Sequence, residues 1–199
     1  MYGFRAKLAT MGAGKTEDLI REYYTHKRKV DRTGATILTL KPAKDTRNSG
    51  INSRNGLSLT ADIVVLPNQD VKYLLEQIEF HKELIILVDE VQFLEVNQVD
   101  QLFNFYLEQI KQNNKVKITC WGIKSNYMCK PFESSERLMG YAEDITLFND
   151  WECNRCSNPA QTHLLKIDGD YVTEGDPVVV GDQEYESVCY ACYAKQMNL

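Results

Sequence analysis

Residues 9 to 16 read Ala9-Thr10-Met11-Gly12-Ala13-Gly14-Lys15-Thr16, and no other stretch restricts the fold of this chain so tightly. The run fits the phosphate-cradling pattern GxxxxGK[ST], with Ala9 where the first glycine usually stands. Small residues let successive backbone N–H groups turn inward at the positive end of the following helix, so such a loop needs a buried strand before it and a helix after it. Both flanks are present. Gly3–Ala9 is short and mixed apolar, and from Glu17 onward apolar residues recur at Leu19, Ile20, Tyr23 and Tyr24, which is helical spacing. In this loop the backbone of Met11, Gly12, Ala13 and Gly14 would face the phosphates of a nucleotide. Lys15 would reach the β- and γ-phosphates, and the Thr16 hydroxyl would ligate Mg²⁺.

Further along, residues 35–40, 63–66, 84–88 and 116–121 are short apolar runs rich in branched side chains, suited to a parallel sheet buried on both faces. Helical patterns lie between them at residues 71–80 and 96–110. The alternation predicts an α/β fold over residues 1–148, a P-loop NTPase-type parallel sheet with helices on both faces. The run 84–88 ends in Asp89-Glu90. In open α/β sheets ligands sit beyond the carboxyl ends of the strands, so these acids would face the phosphates. Neighbouring strand residues point to opposite sides and cannot share one task; one division is Asp89 toward the Mg²⁺ shell and Glu90 toward the nucleophile. The run Lys41-Pro42-Ala43-Lys44-Asp45-Thr46-Arg47 ends on the same edge, though taken alone it reads as a solvated charge run.

After Ile145 the texture changes. Residues 150–159 are polar and turn-rich, and residues 164–180 alternate around Asp168-Gly169-Asp170, the pattern of a hairpin. Two CxxC pairs, Cys153/Cys156 and Cys189/Cys192, bracket this stretch, and each can present two thiolates to one tetrahedral ion. With four protein ligands the site would be closed and structural, and the ion Zn²⁺. Residues 149–199 are therefore expected to form a small zinc-binding β-ribbon lobe packed against the first part as one body. Cys120 and Cys129 lack a CxxC partner and are expected to be ordinary thiols; His26, His81 and His163 are assigned no role.

Charge and hydropathy exclude other classes. A net charge of -5 lacks the electrostatic footprint of a general nucleic-acid binder. The longest aliphatic run is far too short to span a bilayer, and the N-terminus shows no apolar stretch with a cleavage site, so no membrane partner and a cytoplasmic location are expected. A regulatory GTPase would carry Asn-Lys-x-Asp, but Asn114-Lys115-Val116 is followed by Lys117. A zinc-ribbon nucleic-acid binder is opposed by Asp168, Asp170, Glu174, Asp176, Asp182, Glu184 and Glu186 across the lobe, which would repel a phosphate backbone.

Taken together, residues 11–16, the run 41–47, Ser53-Arg54, Asp89-Glu90-Val91-Gln92-Phe93, Lys130-Pro131-Phe132 and the two CxxC pairs resemble the cytosolic type of thymidine kinase, nearest in appearance to bacterial and phage members. The resemblance runs over residues 2 to 193 and implies transfer of the γ-phosphate of ATP to the 5′-hydroxyl of deoxythymidine, with deoxyuridine next best. Glu90 matches the family's catalytic base. Asp45 and Arg47 match its metal-side and phosphate-side residues, with Asp89 and Gln92 on the same nucleotide side. Met11, Phe93, Ile123, Tyr127 and Phe132 match the wall around the thymine. Val180 and Tyr185 fall in the family's lasso loop, which covers the base and whose ends the zinc knot would anchor. A homotetramer and feedback inhibition by dTTP are implied in the same way.

Overall fold

The computed structural model describes residues 2–44, 50–81, 83–148, 151–176, 179 and 184–198. Its centre is a six-stranded sheet in which every pairing is parallel. Strand β1 (Gly3–Ala9) leads through the glycine-rich loop into helix α1 (Lys15–Thr33). That helix opens on Gly14 and closes on Gly34, both left-handed, with the Gly34 N–H returned to the Val30 carbonyl. Glu17 and Asp18 in its first turn complement the helix dipole.

Strand β2 (Ala35–Pro42) follows, then a hairpin of β3 (Gly50–Asn52) and β4 (Ser58–Thr60), then β5 (Ile63–Val65). Helix α2 (Val71–Glu76) is capped by the Asp70 carboxylate, which accepts from the Tyr73 N–H. It is shorter than the expected 71–80. Val71 and Leu75 are its buried residues, and Phe80 packs on the core from the connection into β6 (Glu83–Val88) without the helix continuing to it. A single 3₁₀ turn (Val91–Phe93) precedes α3 (Val96–Lys111), whose start is closed by a reciprocal capping box between Glu95 and Gln98. Strand β7 (Lys115–Ile123), helix α4 (Glu133–Tyr141) and edge strand β8 (Asp144–Leu147) complete the layer. The sheet order is β5-β2-β6-β7-β1-β8.

The wholly apolar β6 explains the layering. Ile85 and Leu87 point to one face, against Leu19 and Ile20 of α1 and Trp121. Leu84, Ile86 and Val88 point to the other, against α2, α3 and α4. Beside α1 the first face turns ionic: Lys7 bonds Asp18 and Glu22, and Lys117 bonds Glu22. Burial alone would raise the Glu22 carboxyl, but hydrogen bonds from His26, Lys117 and Lys7 hold it well below the usual carboxylate range.

A three-stranded antiparallel sheet, β10-β9-β11, forms the remainder, from β9 (Thr162–Ile167), β10 (Asp170–Tyr171) and β11 (Glu184–Val188), followed by α5 (Tyr190–Met197). The expected hairpin turn stands at Asp168 and Gly169, both at positive φ, as a two-residue primed turn requires. Its second arm is only two residues long, however, and the main partner of β9 is β11. Among the described residues no helix is long and apolar enough to cross a membrane.

Candidate active site

Because the sheet is parallel, β1, β6 and β7 deliver their carboxyl ends to one edge, with Ala9 paired to Ile123 in register. The loop after β1 coils on Gly12 and Gly14, at φ of 82° and 73°. Lys15 is buried and its Nζ donates to the Thr10 carbonyl at 2.9 Å, drawing the ammonium across the loop. The Thr16 hydroxyl lies 3.5 Å from Asp89 Oδ2. Two hard oxygen donors side by side are the chemistry Mg²⁺ accepts.

Beyond β6 the chain turns sharply. Glu90 stands at φ 50° in the left-handed region and caps the 3₁₀ turn. Gln92 clamps it: its amide nitrogen donates to Glu90 Oε2, while its amide oxygen accepts the Ile123 N–H at 3.0 Å. This turn lies so near β7 that a Cβ on Gly122 would stand 2.6 Å from Val91 Cγ1 and 2.8 Å from Gln92 Oε1. A glycine inside a strand is the usual signal of such an approach.

These elements line one open cleft. Its floor is the glycine-rich loop from Met11 to Glu17, and one wall is Glu90, Phe93 and Ile123. Asn52 at the end of β3 and Ser53 and Arg54 of the β3–β4 turn complete the lining. Thus Met11, Gly12, Ala13, Gly14, Lys15, Thr16, Glu90, Phe93 and Ile123 are brought together. Gln92 and Phe132 line an adjoining cavity with Lys44 and Leu94. Tyr127 is 1% exposed, and Tyr185 lies on β11, its hydroxyl donating to the Val179 carbonyl. Asp45, Arg47 and Val180 lie outside the described residues.

Asn52, Glu17 and Ser187 entered no expectation, and His163 was expected to have no role. Ser187 Oγ donates to the Met11 carbonyl at 2.7 Å, tying β11 to the loop. His163 faces Ser187 across the β9–β11 pair and packs edge-on against Tyr185. Burial, and secondarily the charge of Lys15, push its imidazole down to about 4. No periodicity marks a lone polar residue that a neighbouring strand turns inward, so neither residue was legible in advance.

The four cysteine sulfurs of the two CxxC pairs lie within 4.8 Å of one another. Cys156 Sγ is 3.7 Å from both Cys189 Sγ and Cys192 Sγ. A tetrahedral ion with metal–sulfur bonds of 2.3 Å spaces its ligands by about 3.8 Å, so the cluster fits zinc. The N–H of Arg155 donates to Cys153 Sγ and that of Cys192 to Cys189 Sγ. The Cys192 N–H holds the Cys189 thiol down at about 6, while Cys189 pushes the Cys192 thiol up to about 12. Crowded thiols retain protons that a bound divalent cation would displace.

The family model described as thymidine kinase matches residues 5–193. The thymidine kinase of Enterobacteria phage T4 is 31% identical over 184 residues, covering 91% of this chain and 90% of that protein. That of Ureaplasma urealyticum serovar 10 is 33% identical over 183 residues, covering 90% and 77%. That of Francisella tularensis subsp. tularensis is 28% identical over 193 residues, covering 92% of each.

Proposed function

This chain belongs to the thymidine kinase family, and from that premise we propose that it transfers the γ-phosphate of ATP to the 5′-hydroxyl of deoxythymidine in the cleft between the glycine-rich loop and Glu90. The observation that supports this reading is that one cleft joins the glycine-rich loop to a carboxylate and to the apolar side chains of Met11, Phe93 and Ile123. The loop offers main-chain donors and Lys15 to the phosphates. Thr16 and Asp89 would hold Mg²⁺, which would offset the negative charge of the phosphates.

Glu90 acts as general base. Its carboxylate accepts the 5′-hydroxyl proton as that oxygen bonds to the γ-phosphorus, the bond to the β-phosphate oxygen breaks, and ADP leaves with its electron pair; solvent later takes the proton. The Gln92 clamp aims the carboxylate. Tyr127, Phe132 and Tyr185 continue the thymine wall, with Asp45 and Arg47 on the phosphate side and Val180 in a loop that covers the base. Cys153, Cys156, Cys189 and Cys192 would hold Zn²⁺ as a structural tie for that loop. On this reading residues 1–148 bind nucleotide, residues 149–199 close over the acceptor, and the enzyme works in the cytoplasm as a homotetramer inhibited by dTTP.

A Mg·ATP assay over a panel of deoxynucleosides, scored by the mass of the monophosphate, tests the proposal. Thymidine should be best and deoxyuridine next, since a single methyl in an apolar pocket contributes only about 1 to 3 kcal/mol. Equal or better turnover of deoxyadenosine would overturn it.

A further inference from the structure

Strand β11 reaches the glycine-rich loop with a side chain that has so far been given no work. Ser187 and Tyr185 are two residues apart on this strand, so their side chains stand on one face of the small sheet. His163 shares that face, since it pairs directly with Ser187 and meets the Tyr185 ring edge-on. The face is turned toward the loop: Ser187 Oγ bonds the Met11 carbonyl at 2.7 Å, and the charge of Lys15 is felt at His163. Ser187 is also held from behind. Its own carbonyl accepts the Asn154 N–H at 2.8 Å, from the turn between Cys153 and Cys156.

Three successive carbonyls of the loop are each held by a donor. Thr10 accepts from Lys15 Nζ at 2.9 Å, Met11 from Ser187 Oγ, and Gly12 from the Gly14 N–H at 2.9 Å. A peptide group is planar and trans, so the C=O of one residue and the N–H of the next point in opposite directions. Holding these carbonyls therefore aims the N–H groups of Met11, Gly12 and Ala13 the other way. Among the described residues none of those three N–H groups donates to another group, and all three residues line the cleft. They are available to phosphate oxygens. Two of the three anchors belong to the loop and the start of α1, whereas Ser187 comes from 176 positions away, in the other sheet. Gly12 stands at φ 82°, and glycine tolerates either sign of φ. Without Ser187 the Met11–Gly12 peptide is thus able to turn over and carry the Gly12 N–H with it.

We propose that Ser187 is a positioning residue for the phosphate donor: by holding the Met11 carbonyl it keeps the Gly12 N–H aimed at the phosphates. It acts through the Met11–Gly12 peptide and exchanges no atom with either substrate. The proposal rests on reading the cleft as the site of phosphoryl transfer from ATP.

The full chain is tested as wild type, Ser187→Ala and Ser187→Thr. Titration with ATP in the absence of acceptor should show Ser187→Ala binding about tenfold more weakly or worse, the contribution of one hydrogen bond to a charged group. The KM for thymidine should shift by less than about threefold. That ranking separates positioning of the loop from a merely structural role, because a strand loosened at position 187 would act through Tyr185 and weaken thymidine instead. Ser187→Thr keeps the hydroxyl and should bind ATP within about threefold of wild type. Thermal melts show that the variants fold; should the extra methyl of threonine prevent this, Ser187→Ala, which only removes an atom, decides alone. The proposal is overturned by an ATP dissociation constant within about threefold of wild type in Ser187→Ala, or by a thymidine KM raised as much as that constant. A folded Ser187→Thr as weak for ATP as Ser187→Ala overturns it too. If wild type binds no ATP and phosphorylates no deoxynucleoside, the reading of the cleft fails first, and the two failures stay distinct.

Discussion

Ser187 Oγ donates to the main-chain carbonyl of Met11 over 2.7 Å, a bond between residues 176 positions apart that fastens strand β11 to the glycine-rich loop. Cys189 follows Ser187 by two residues, so the cysteine cluster and the glycine-rich loop share one short connection.

Changing Cys156 to Ser should therefore lower zinc content from about one equivalent per chain and reduce thermal stability, since structural zinc contributes folding free energy. The KM for thymidine should rise more than that for ATP, because Tyr185 lies on the disturbed strand while Lys15 is anchored to Thr10. Elemental analysis and separate titrations of the two substrates check both parts; active wild-type enzyme without zinc would refute the site.

Replacing Glu90 by Gln should leave both substrates bound and the fold intact, while kcat falls roughly 10² to 10⁴-fold, the usual contribution of a positioned base. Retention of more than about a tenth of wild-type kcat would remove the base assignment.

Gly122→Ala tests the contact behind the carboxylate. The added methyl meets Val91 and Gln92 at less than 3 Å, so overpacking should destabilise the protein by about 1 to 3 kcal/mol. Pushing Gln92 outward also displaces Glu90, and a misplacement near 1 Å can lower the rate about 10²-fold. Melting temperature and kcat, the latter measured well below the melt, should both fall. Unchanged kcat in a destabilised variant would show that the turn does not aim Glu90.

The buried His163 predicts a particular pH profile. Its folded-state value near 4 lies below the ordinary imidazole value of 6.5, so the unfolded chain gains a proton where the folded chain does not. The contribution is complete above about pH 6.5, declines as pH falls toward 4, and reaches at most about 3 kcal/mol. Urea unfolding at pH 7 and pH 5 should show His163→Gln losing about 2 kcal/mol less than wild type between the two. Equal losses would mean that His163 is not held neutral.

The sequence disclosed what repeats or carries a motif. The apolar run of β6, the glycine-rich loop, the Asp-Gly turn and the paired cysteines each follow from local chemistry, and each stands where expected. What stayed hidden depends on distant partners. The β3–β4 hairpin is stabilised by Lys41, Glu17 and the core beneath α1 rather than by its own three-residue strands. Edge strand β8 is exposed throughout, and the alternation of Asp144-Ile145-Thr146-Leu147 is too short to mark a strand by itself. The Ser187–Met11 bond needed both sheets in place before it could be seen.

The left-handed backbone at Glu90 sets the demands of folding against those of turnover. A side chain at φ 50° costs about 1 to 2 kcal/mol, and glycine removes that cost at the expense of roughly 0.5 to 1 kcal/mol of chain entropy. Selection of variants for heat tolerance alone would thus be drawn toward Glu90→Gly, enriching proteins that are sturdier and, with the proposed base removed, inert. Any effort to harden this enzyme has to screen for turnover from its first round.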